Sequence, residues 1–497
     1  MTAVMILATI QAIVGAFDLF VHHETTERLT WKASARQELW LHAARNGLYA
    51  VVFLVLAWFE PRGIWAVAFV AVLLVEIIIT LTDFVVEDRT RQLPESERIL
   101  HTILAVSYGA FLALLTPHLI VWFNQTSALI MVERGVWSAV MTLFALGVAL
   151  WCVRDAVRAH AVSSPARPAS PLVNRHLDAP QRVLVTGGTG FIGKRLCHAL
   201  VEAGHDVTVL TRDPRKARDL PTPIRIATTC SEFGDDTVFD AIVNLAGASV
   251  AGGRWTERRK AVLRASRIDT TRDVVALIGR LRTRPEVLVS ASAIGFYGTD
   301  SDQAITENNR AMPGFAHDMC AEREAEARKA SRYGVRVVEL RLSLVLGAEG
   351  GPLGAMLPAF EFGAGSRIGH GRQWMSWVHL DDAVRATAFL IARKDLRGPF
   401  NVTAPQPVTN TVFSARLAAT LKRPCLIAIP GPVIRFLLGE MGQELLLASK
   451  RVLPQRLSDA GFVFEHATID AAMIDILRSG EPLKLEPANP QVLPKAA

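Results

Sequence analysis

Glycines at a fixed spacing form the feature of this chain that is best suited to chemistry. They follow three apolar residues in the run Val183-Leu-Val-Thr-Gly-Gly-Thr-Gly-Phe-Ile-Gly193, and an amphipathic pattern continues from them to Ala203. This order predicts a buried strand, a tight turn and the start of a helix, whose free backbone N–H groups would bind a pyrophosphate. In such a turn Gly187 permits the bend, Gly190 lets the backbone approach the phosphates and Gly193 lets the helix pack against the strand.

The end of the next apolar run indicates which dinucleotide would bind. The run Gly204-His-Asp-Val-Thr-Val-Leu-Thr-Arg212 predicts a second strand that ends in a basic residue. An acid at this place would hold the ribose hydroxyls of NAD, whereas the guanidinium of Arg212 suits the 2′-phosphate of NADP, with Arg215 and Lys216 as additional contacts. NADP is therefore expected and NAD is the less favoured cofactor. The alternative is a solvated basic loop beside Asp213.

A later apolar strand, Asp240-Ala-Ile-Val-Asn-Leu-Ala-Gly247, ends in Asn-x-Ala-Gly and would reach the same cofactor. The predicted cofactor-binding residues are Thr186, Gly187, Gly188, Thr189, Gly190, Phe191, Ile192, Gly193, Arg212, Asn244, Leu245, Ala246 and Gly247.

Strands and helices alternate from Arg182 onward. The predicted strands lie near 182–186, 206–211, 241–246, 286–292 and 336–346, and the predicted helices near 192–203, 257–282 and 314–332. This alternation predicts an α/β Rossmann fold with a doubly wound parallel sheet, which binds ligands at the carboxyl ends of its strands.

These residues resemble the epimerase/dehydratase branch of the extended short-chain dehydrogenase/reductase superfamily. The resemblance rests on Thr186–Gly193, Asn244–Gly247 and the run Ser290-Ala-Ser-Ala-Ile-Gly-Phe-Tyr-Gly298. The runs Gly371–Asp382 and Leu457–Phe462 narrow it to the atypical subgroup described as nucleoside-diphosphate-sugar epimerases, which ends in a small C-terminal domain of unknown role. It covers about residues 181 to 480.

The resemblance implies a serine or threonine at the end of the fifth strand that hydrogen-bonds the reacting oxygen of the substrate. Ser292 is the candidate, with Ser290 as the alternative. The family also uses a Tyr-x-x-x-Lys motif, and none of the four tyrosines here has a lysine four positions later. Tyr297, His317 and Cys320 are the candidates for proton transfer instead, since a neutral histidine titrates near working pH. Alternatively, His317 and Cys320 are ordinary positions of a helix.

The resemblance places the substrate side in later segments. Its candidate residues, which offer donors and flat faces to a phosphate or a ring, are Arg341, Arg372, Gln373 and Trp374. Alternatively, Trp374 fills the core between domains. Helical stretches near 409–422 and 432–451 would form a small, mostly helical lobe over residues 406–480, and the Pro-rich residues 481–497 are expected to be disordered.

The first 158 residues carry long apolar runs, and the mean hydropathy of the whole chain is +0.27. The candidate spans are Val4–Phe20, Leu41–Phe59, Ile64–Val86, Ile99–Phe123 and Gly135–Val153. A span needs about 20 apolar residues, so we expect about five, or four if Arg45 interrupts the second. Basic residues concentrate in the loops that would share a side with the Rossmann domain. A multi-pass protein of the inner (cytoplasmic) membrane is expected, with the Rossmann domain facing the cytosol.

Polar residues gather on the cytosolic side of the predicted bundle. They are Asp18, His22, His23, Glu27, His42, Glu76, Asp83, Glu87, Asp88 and His101. Such a set could hold a metal, relay protons or bind a polar head group. The alternative is interhelical hydrogen bonding and interfacial charge pairing. No ligand spacing here is specific enough to assign a metal.

Composition narrows the partners further. The formal net charge is +7, without a basic run of the length expected for a nucleic-acid patch, so a lipid bilayer and a small-molecule substrate are expected and nucleic acid is not. The five scattered cysteines fit reduced thiols. Residues 159–180, rich in Pro, Ser and Ala at their centre, predict a linker between the membrane domain and the Rossmann domain, residues 181–405.

The expected function is a membrane-anchored NAD(P)-dependent oxidoreductase or epimerase that transfers hydride between nicotinamide and a carbonyl or carbinol. Its substrate would resemble a nucleotide sugar or be linked to a lipid. The alternatives are a non-catalytic NADP-binding redox sensor or scaffold coupled to the membrane bundle, and a fused electron-transfer pair.

Overall fold

The computed structural model describes residues 1–20, 35–90, 95–161, 168–298 and 301–477, in two compact units that meet in sequence at Arg167 and Pro168. The predicted tail 481–497 lies outside the described residues, as do His22, His23, Glu27 and the centre of the predicted linker.

The first unit is a bundle of apolar helices. Its elements are α1 (Thr2–Asp18), α2 (Arg36–Trp58), β1 (Phe59–Arg62), α3 (Ile64–Thr90), α4 (Glu95–Phe123), β2 (Ala128–Met131) and α5 (Val136–Ala161). Helix α2 packs along α5 and α1 packs along α4, around a core that includes Phe53, Phe69 and Phe111. Strands β1 and β2 pair antiparallel at one end of the bundle.

Among the described residues, four helices are long and apolar enough to cross a membrane, namely α2, α3, α4 and α5. Helix α1 is apolar but has only 17 residues, so the count falls one short of the expected five. Arg45 does not interrupt α2, because its guanidinium donates to Asp83 of α3 at 2.9 Å.

The second unit contains the predicted sheet. Its strands are β3 (Arg182–Thr186), β4 (Asp206–Leu210), β5 (Arg225–Ala227), β6 (Ala241–Asn244), β7 (Val287–Ala293), β8 (Ser301–Ile305), β9 (Arg336–Leu342), β10 (Leu344–Leu346), β11 (Ser366–Ile368), β12 (Trp374–Met375), β13 (Trp377–His379), β14 (Gly398–Val402), β15 (Val408–Thr409), β16 (Ile427–Ile429) and β17 (Lys450–Val452). Within the described part of the chain, seven of them form one parallel sheet in the order β14-β9-β7-β6-β3-β4-β5. The strand order reverses at β3 and β6, where a doubly wound fold opens its ligand crevice.

Helices cover this sheet and build the lobe that follows it. They are α6 (Pro171–Asn174), α7 (Phe191–Glu202), α8 (Glu257–Arg280), α9 (Phe315–Arg328), α10 (Gly351–Glu361), α11 (Leu380–Ala392), α12 (Asn410–Thr420), α13 (Gly431–Leu438), α14 (Glu440–Gly442), α15 (Gln455–Asp459) and α16 (Ile469–Leu477). The central strands are buried on both faces, against α7 and α11 on one side and against α8 on the other, which explains their continuous apolar runs.

Two predicted boundaries were wrong. The linker was expected to reach residue 180, yet Leu172, Val173 and Leu177 are buried in the core beside α7 and α11, because they supply apolar surface that those helices cover. A single helix over 432–451 was also expected. Gly439 interrupts it with a φ of +61°, a left-handed value that favours glycine, and the segment ends in β17.

Candidate nucleotide-binding site

The glycine turn lies between β3 and α7 and is held by close backbone contacts. Gly187 has a φ of +71°, and a Cβ added there would lie 2.7 Å from the backbone nitrogen of Ala246. A Cβ on Gly193 would collide with the carbonyl oxygen of Gly187, and one on Gly188 would lie 2.7 Å from the side chain of Val209. These three glycines are therefore required by the protein itself.

Gly190 differs from them. It is exposed, and the nearest atom to an added Cβ is the Gly187 carbonyl oxygen at 3.2 Å. The protein leaves room in front of this N-terminal end of α7, where a phosphate would bind. Thr189 and Ile192 are half-buried beside it, and the Phe191 ring packs against the glycines of the loop 347–351.

The side chains of Thr186 and Asn244 face into the fold rather than towards a cofactor. The Thr186 hydroxyl donates to Asn244 Oδ1 at 2.7 Å and accepts from the Ala246 backbone at 3.2 Å. Asn244 Nδ2 donates to Thr271 at 2.8 Å. These side chains hold the ends of β3 and β6 together. Leu245 and Ala246 are half-buried and Gly247 is exposed at the same edge.

Arg212 and Asp213 follow β4 at this edge, and the structure separates their roles. The Arg212 side chain is exposed and has no ion-pair partner in the described part of the chain. Asp213 instead accepts from the Arg215 guanidinium at 3.0 Å and from the Arg215 backbone at 3.2 Å, so it caps the short helical turn Pro214–Ala217. The hydrogen bond from the Arg215 side chain is the main cause that lowers the pKa of Asp213. The acid is occupied by Arg215, and the guanidinium of Arg212 is available to an anion.

A buried polar network lies beneath the end of β7. Ser292 donates to Glu324 Oε1 of α9 at 2.7 Å, and the Arg341 guanidinium of β9 donates to both oxygens of Glu324 at 2.9 Å. Arg341 also donates to the Tyr297 hydroxyl at 3.0 Å, which in turn donates to Asn401 at 2.7 Å. Glu324 joins two predicted residues, Ser292 and Arg341, yet no sequence pattern distinguishes it from the other acids of α9.

This network contains two of the predicted site residues, Tyr297 and Arg341. Both side chains are at most 3% exposed, and their polar groups bind each other, Glu324 and Asn401. Burial raises the pKa of Tyr297 above its usual value, so the phenol stays protonated. Neither side chain reaches solvent in the structure, and both hold the end of β7 in position.

Cys320 and His317 of α9 pack against the segment that follows β7. Burial raises the pKa of the Cys320 thiol, with a contribution from Glu324, and this favours the protonated thiol. His317 is half-buried, and its Nδ1 lies 2.6 Å from the Phe296 carbonyl oxygen. Because a carbonyl can only accept, Nδ1 carries the proton and Nε2 of the neutral ring is the basic nitrogen.

Two arginines that the sequence did not single out position the loop after β6. Arg323 of α9 donates to the Asn244 carbonyl at 2.9 Å, and Arg267 of α8 donates to the Ala248 carbonyl at 3.0 Å. Burial is the main cause that lowers the pKa of Arg323, and Arg267 adds to it. They lie on polar helical stretches with no distinguishing pattern, so only their tertiary contacts reveal the role.

The three remaining substrate candidates lie on the segment 372–374. Arg372 is exposed, and Trp374 is half-buried with the Arg451 guanidinium 4.7 Å from its ring centre. Gln373 is 1% exposed, and its amide donates to the carbonyls of Ile368 and Leu446. In the structure these hydrogen bonds connect this segment to the C-terminal lobe.

Comparisons with known proteins match the second unit. Residues 183–403 match the model of the NAD dependent epimerase/dehydratase family, and residues 429–476 match DUF1731, a domain of unknown function. An epimerase family protein of Mycobacterium bovis is 38% identical over 294 residues, which are 59% of this chain and 96% of the relative. A chloroplastic homolog of epimerase family protein SDR39U1 from Arabidopsis thaliana is 36% identical over 62% of this chain and 90% of its own length.

A solved structure shares the fold of the same part of the chain. Human epimerase family protein SDR39U1, crystallised with NADPH, is 29% identical, has a TM-score of 0.54 and matches 60% of this chain and 99% of its own.

Proposed function

Because the chain belongs to the NAD-dependent epimerase/dehydratase family, we propose that its second unit binds NADPH and transfers hydride between nicotinamide C4 and a carbonyl or carbinol of a small substrate. One observation carries this proposal: the glycine turn, Arg212 and Ser292 all lie at the carboxyl ends of strands of a single parallel sheet. Ligands of doubly wound folds bind at that edge.

The preference for NADPH rests on the division of roles between Arg212 and Asp213. The Asp213 carboxylate accepts from Arg215, whereas the guanidinium of Arg212 is exposed and has no ion-pair partner among the residues that the structure describes. A guanidinium binds a phosphate monoester with charge-assisted hydrogen bonds, which the 2′-hydroxyl of NADH cannot offer. The bound NADPH of the human structure is in line with this assignment.

We assign the proton transfer to Nε2 of His317 and the orientation of the substrate to Ser292. The hydroxyl hydrogen of Ser292 is committed to Glu324, so its oxygen is left to accept from a substrate hydroxyl. The His317 ring is fixed in one tautomer by the Phe296 carbonyl. In reduction, the protonated ring would donate its Nε2 proton to the oxygen as hydride reaches the carbonyl carbon.

We further propose that the first unit anchors this enzyme in the cytoplasmic membrane. Its helices present large apolar side chains outward, among them Ile78 at 62% exposure and Leu150 at 71%, and lipid would cover such a surface. Arg36, Arg98 and Arg154 lie at the end opposite to the β1–β2 pair, which is the end expected to face the cytosol. Extraction of the full chain from membranes by alkaline carbonate would contradict the anchor.

The cofactor assignment is tested by titrating the full-length chain, purified in detergent, with NADPH and NADH. We expect Arg212→Ala to weaken NADPH binding about tenfold or more and to leave NADH unchanged, since a lost charge-assisted pair costs about 1.5–3 kcal/mol. Lys394→Ala removes an exposed cation near β14 that pairs with Glu286, and serves as the matched control. Equal loss in both variants, or no binding of either nucleotide, would refute the site.

The catalytic assignment is tested with a panel of carbonyl substrates and NADPH. His317→Gln is expected to lower kcat about 100-fold or more, with NADPH affinity retained. Tight NADPH binding without turnover in any condition would favour the alternative of a nucleotide sensor.

A further inference from the structure

Buried histidines and carboxylates meet at one end of the helix bundle, where α1, α3 and α5 end and α2 and α4 begin. Two groups of three lie close enough to hold an ion each, since one ligand atom from each member falls within 4.8 Å of the others. One group consists of Asp18, Glu97 and His101, and the other of Glu38, His42 and Glu87. Their four carboxylates and His42 are at most 5% exposed.

The two groups repeat one pattern. Glu38 and His42 lie one helical turn apart on α2, and Glu97 and His101 lie one turn apart on α4, so each helix presents a carboxylate and an imidazole on one face. Facing helices that each supply a Glu and a His are the construction of di-metal carboxylate sites in bundles. The spacing here is four residues, which keeps both ligands on the same side of a helix just as three does.

Glu87 of α3 joins the two groups. Its Oε1 lies 3.9 Å from His42 Nε2, and its Oε2 lies 3.5 Å from His101 Nδ1. The other nitrogen of the His101 ring, Nε2, lies 3.1 Å from Asp18. A histidine that ligates a metal through one nitrogen commonly donates its other N–H to a carboxylate, which fixes the ring. Glu87 would therefore ligate in one group and orient the histidine of the other.

A third group in the chain shows what such a cluster looks like when hydrogen bonds alone account for it. It consists of His379, His466 and Asp475. His379 Nδ1 accepts from the Asp381 backbone, and Asp475 lies 3.3 Å from His379 Nε2 and 3.7 Å from His466 Nε2. There a helix cap and an ion pair occupy the ligand atoms. In the bundle, carboxylates from four helices converge on two histidines, and Asp83, which accepts from the Arg45 guanidinium at 2.9 Å, brings a further carboxylate within 3.1 Å of His42 Nε2.

We propose that the helix bundle binds two divalent transition-metal ions, one at Asp18, Glu97 and His101 and one at Glu38, His42 and Glu87. Imidazole with carboxylate oxygen suits Fe²⁺, Mn²⁺ or Zn²⁺. Ligand atoms around one such ion, each about 2.1 Å from it, lie at most about 4.2 Å apart, so sub-ångström movements complete each site. This proposal does not depend on the function of the second unit.

The test is the metal content of the full-length chain, purified in detergent, stripped with chelator and titrated with Co²⁺ and Fe²⁺. We expect two ions per chain, with the visible absorption of protein-bound Co²⁺. Glu97→Ala with His101→Ala, and Glu38→Ala with His42→Ala, should each leave one ion. Glu87→Ala should remove one ion and weaken the other about 10–100-fold, because it also loses the acceptor of the His101 N–H.

Two glutamates outside the groups provide matched controls. Glu60 lies at the opposite end of the bundle beside Arg62, and Glu76 lies on the same helix as Glu87. The variants Glu60→Gln and Glu76→Gln should both retain two ions. Size-exclusion profiles identify variants that fail to fold, and Glu38→Gln then replaces the double variant. A wild-type chain that binds no Co²⁺ or Fe²⁺ tightly, or equal metal content in all folded variants, would overturn the proposal.

Discussion

Glu324 accepts hydrogen bonds from two nitrogens of the Arg341 guanidinium, both at 2.9 Å, beneath the strand end where Ser292 lies. The two side chains are 1% and 3% exposed. Arg328 adds a further hydrogen bond at 2.9 Å, and Ser292 adds one at 2.7 Å. One carboxylate thus fixes the position of the residue that we propose to orient the substrate.

Glu324→Gln should destabilise the second unit by about 3–5 kcal/mol, because it leaves the buried guanidinium of Arg341 without its charged partner. Urea unfolding of the full chain, followed through the second unit, measures this loss. Glu322→Gln on the same helix removes an exposed ion pair with Arg264 and should cost at most about 1 kcal/mol. Similar losses of unfolding free energy in both variants would show that the buried Glu324–Arg341 pair stabilises the unit no more than the exposed pair does.

Substitutions at two glycines of the turn distinguish the requirement for folding, at Gly187, from the requirement for nucleotide binding, at Gly190. Gly187→Ala should destabilise the unit by about 1–3 kcal/mol, because it strains a left-handed residue that also touches the backbone of Ala246. Gly190→Ala should change stability little, yet weaken NADPH binding about tenfold or more, since its methyl group would enter the space in front of α7. Thermal unfolding and nucleotide titration measure the two effects. NADPH affinity that is unchanged in Gly190→Ala would contradict the phosphate position.

Tyr297→Phe distinguishes a positioning residue from a proton donor. The variant loses the hydrogen bonds to Asn401 and Arg341, so we expect a cost of about 1–2 kcal/mol in the free energy of unfolding. The pH profile of turnover should keep its shape, because the proton is assigned to His317. A rate that falls 100-fold with stability preserved would restore Tyr297 as the acid.

The raised pKa of His466 predicts a loss of stability at alkaline pH. Burial alone would lower its pKa, but hydrogen bonds and attraction from Asp382 and Asp475 outweigh burial and raise the pKa to about 9. The unfolded residue titrates near the ordinary histidine pKa of about 6.5, so the stabilisation is complete below that pH and disappears as the pH rises to about 9. We expect a decrease on the order of 1–3 kcal/mol in the free energy of unfolding. His466→Asn should flatten this dependence, and an unchanged slope would contradict the assignment.

Much of the second unit could be predicted because its signals are local. The glycine spacing, the runs of buried strand residues and the basic end of β4 each depend on neighbours in sequence, and β3, α7, β4, β6 and β7 were located within a few residues. Strands β5 and β14 were not predicted, since three and five residues at a sheet edge carry little periodicity.

The sequence by itself determined the parallel sheet, the nucleotide turn and the apolar helices, because backbone conformation and hydrophobic periodicity depend on residues that are neighbours in the sequence. Only the tertiary structure decided where polar side chains point. It turned Tyr297, Arg341 and Gln373 inward, brought Glu324 under Ser292, and gathered Glu38, His42, Glu87, Glu97 and His101 from three helices. A buried polar group takes the partner that is nearest in space, and that partner is most often distant in sequence.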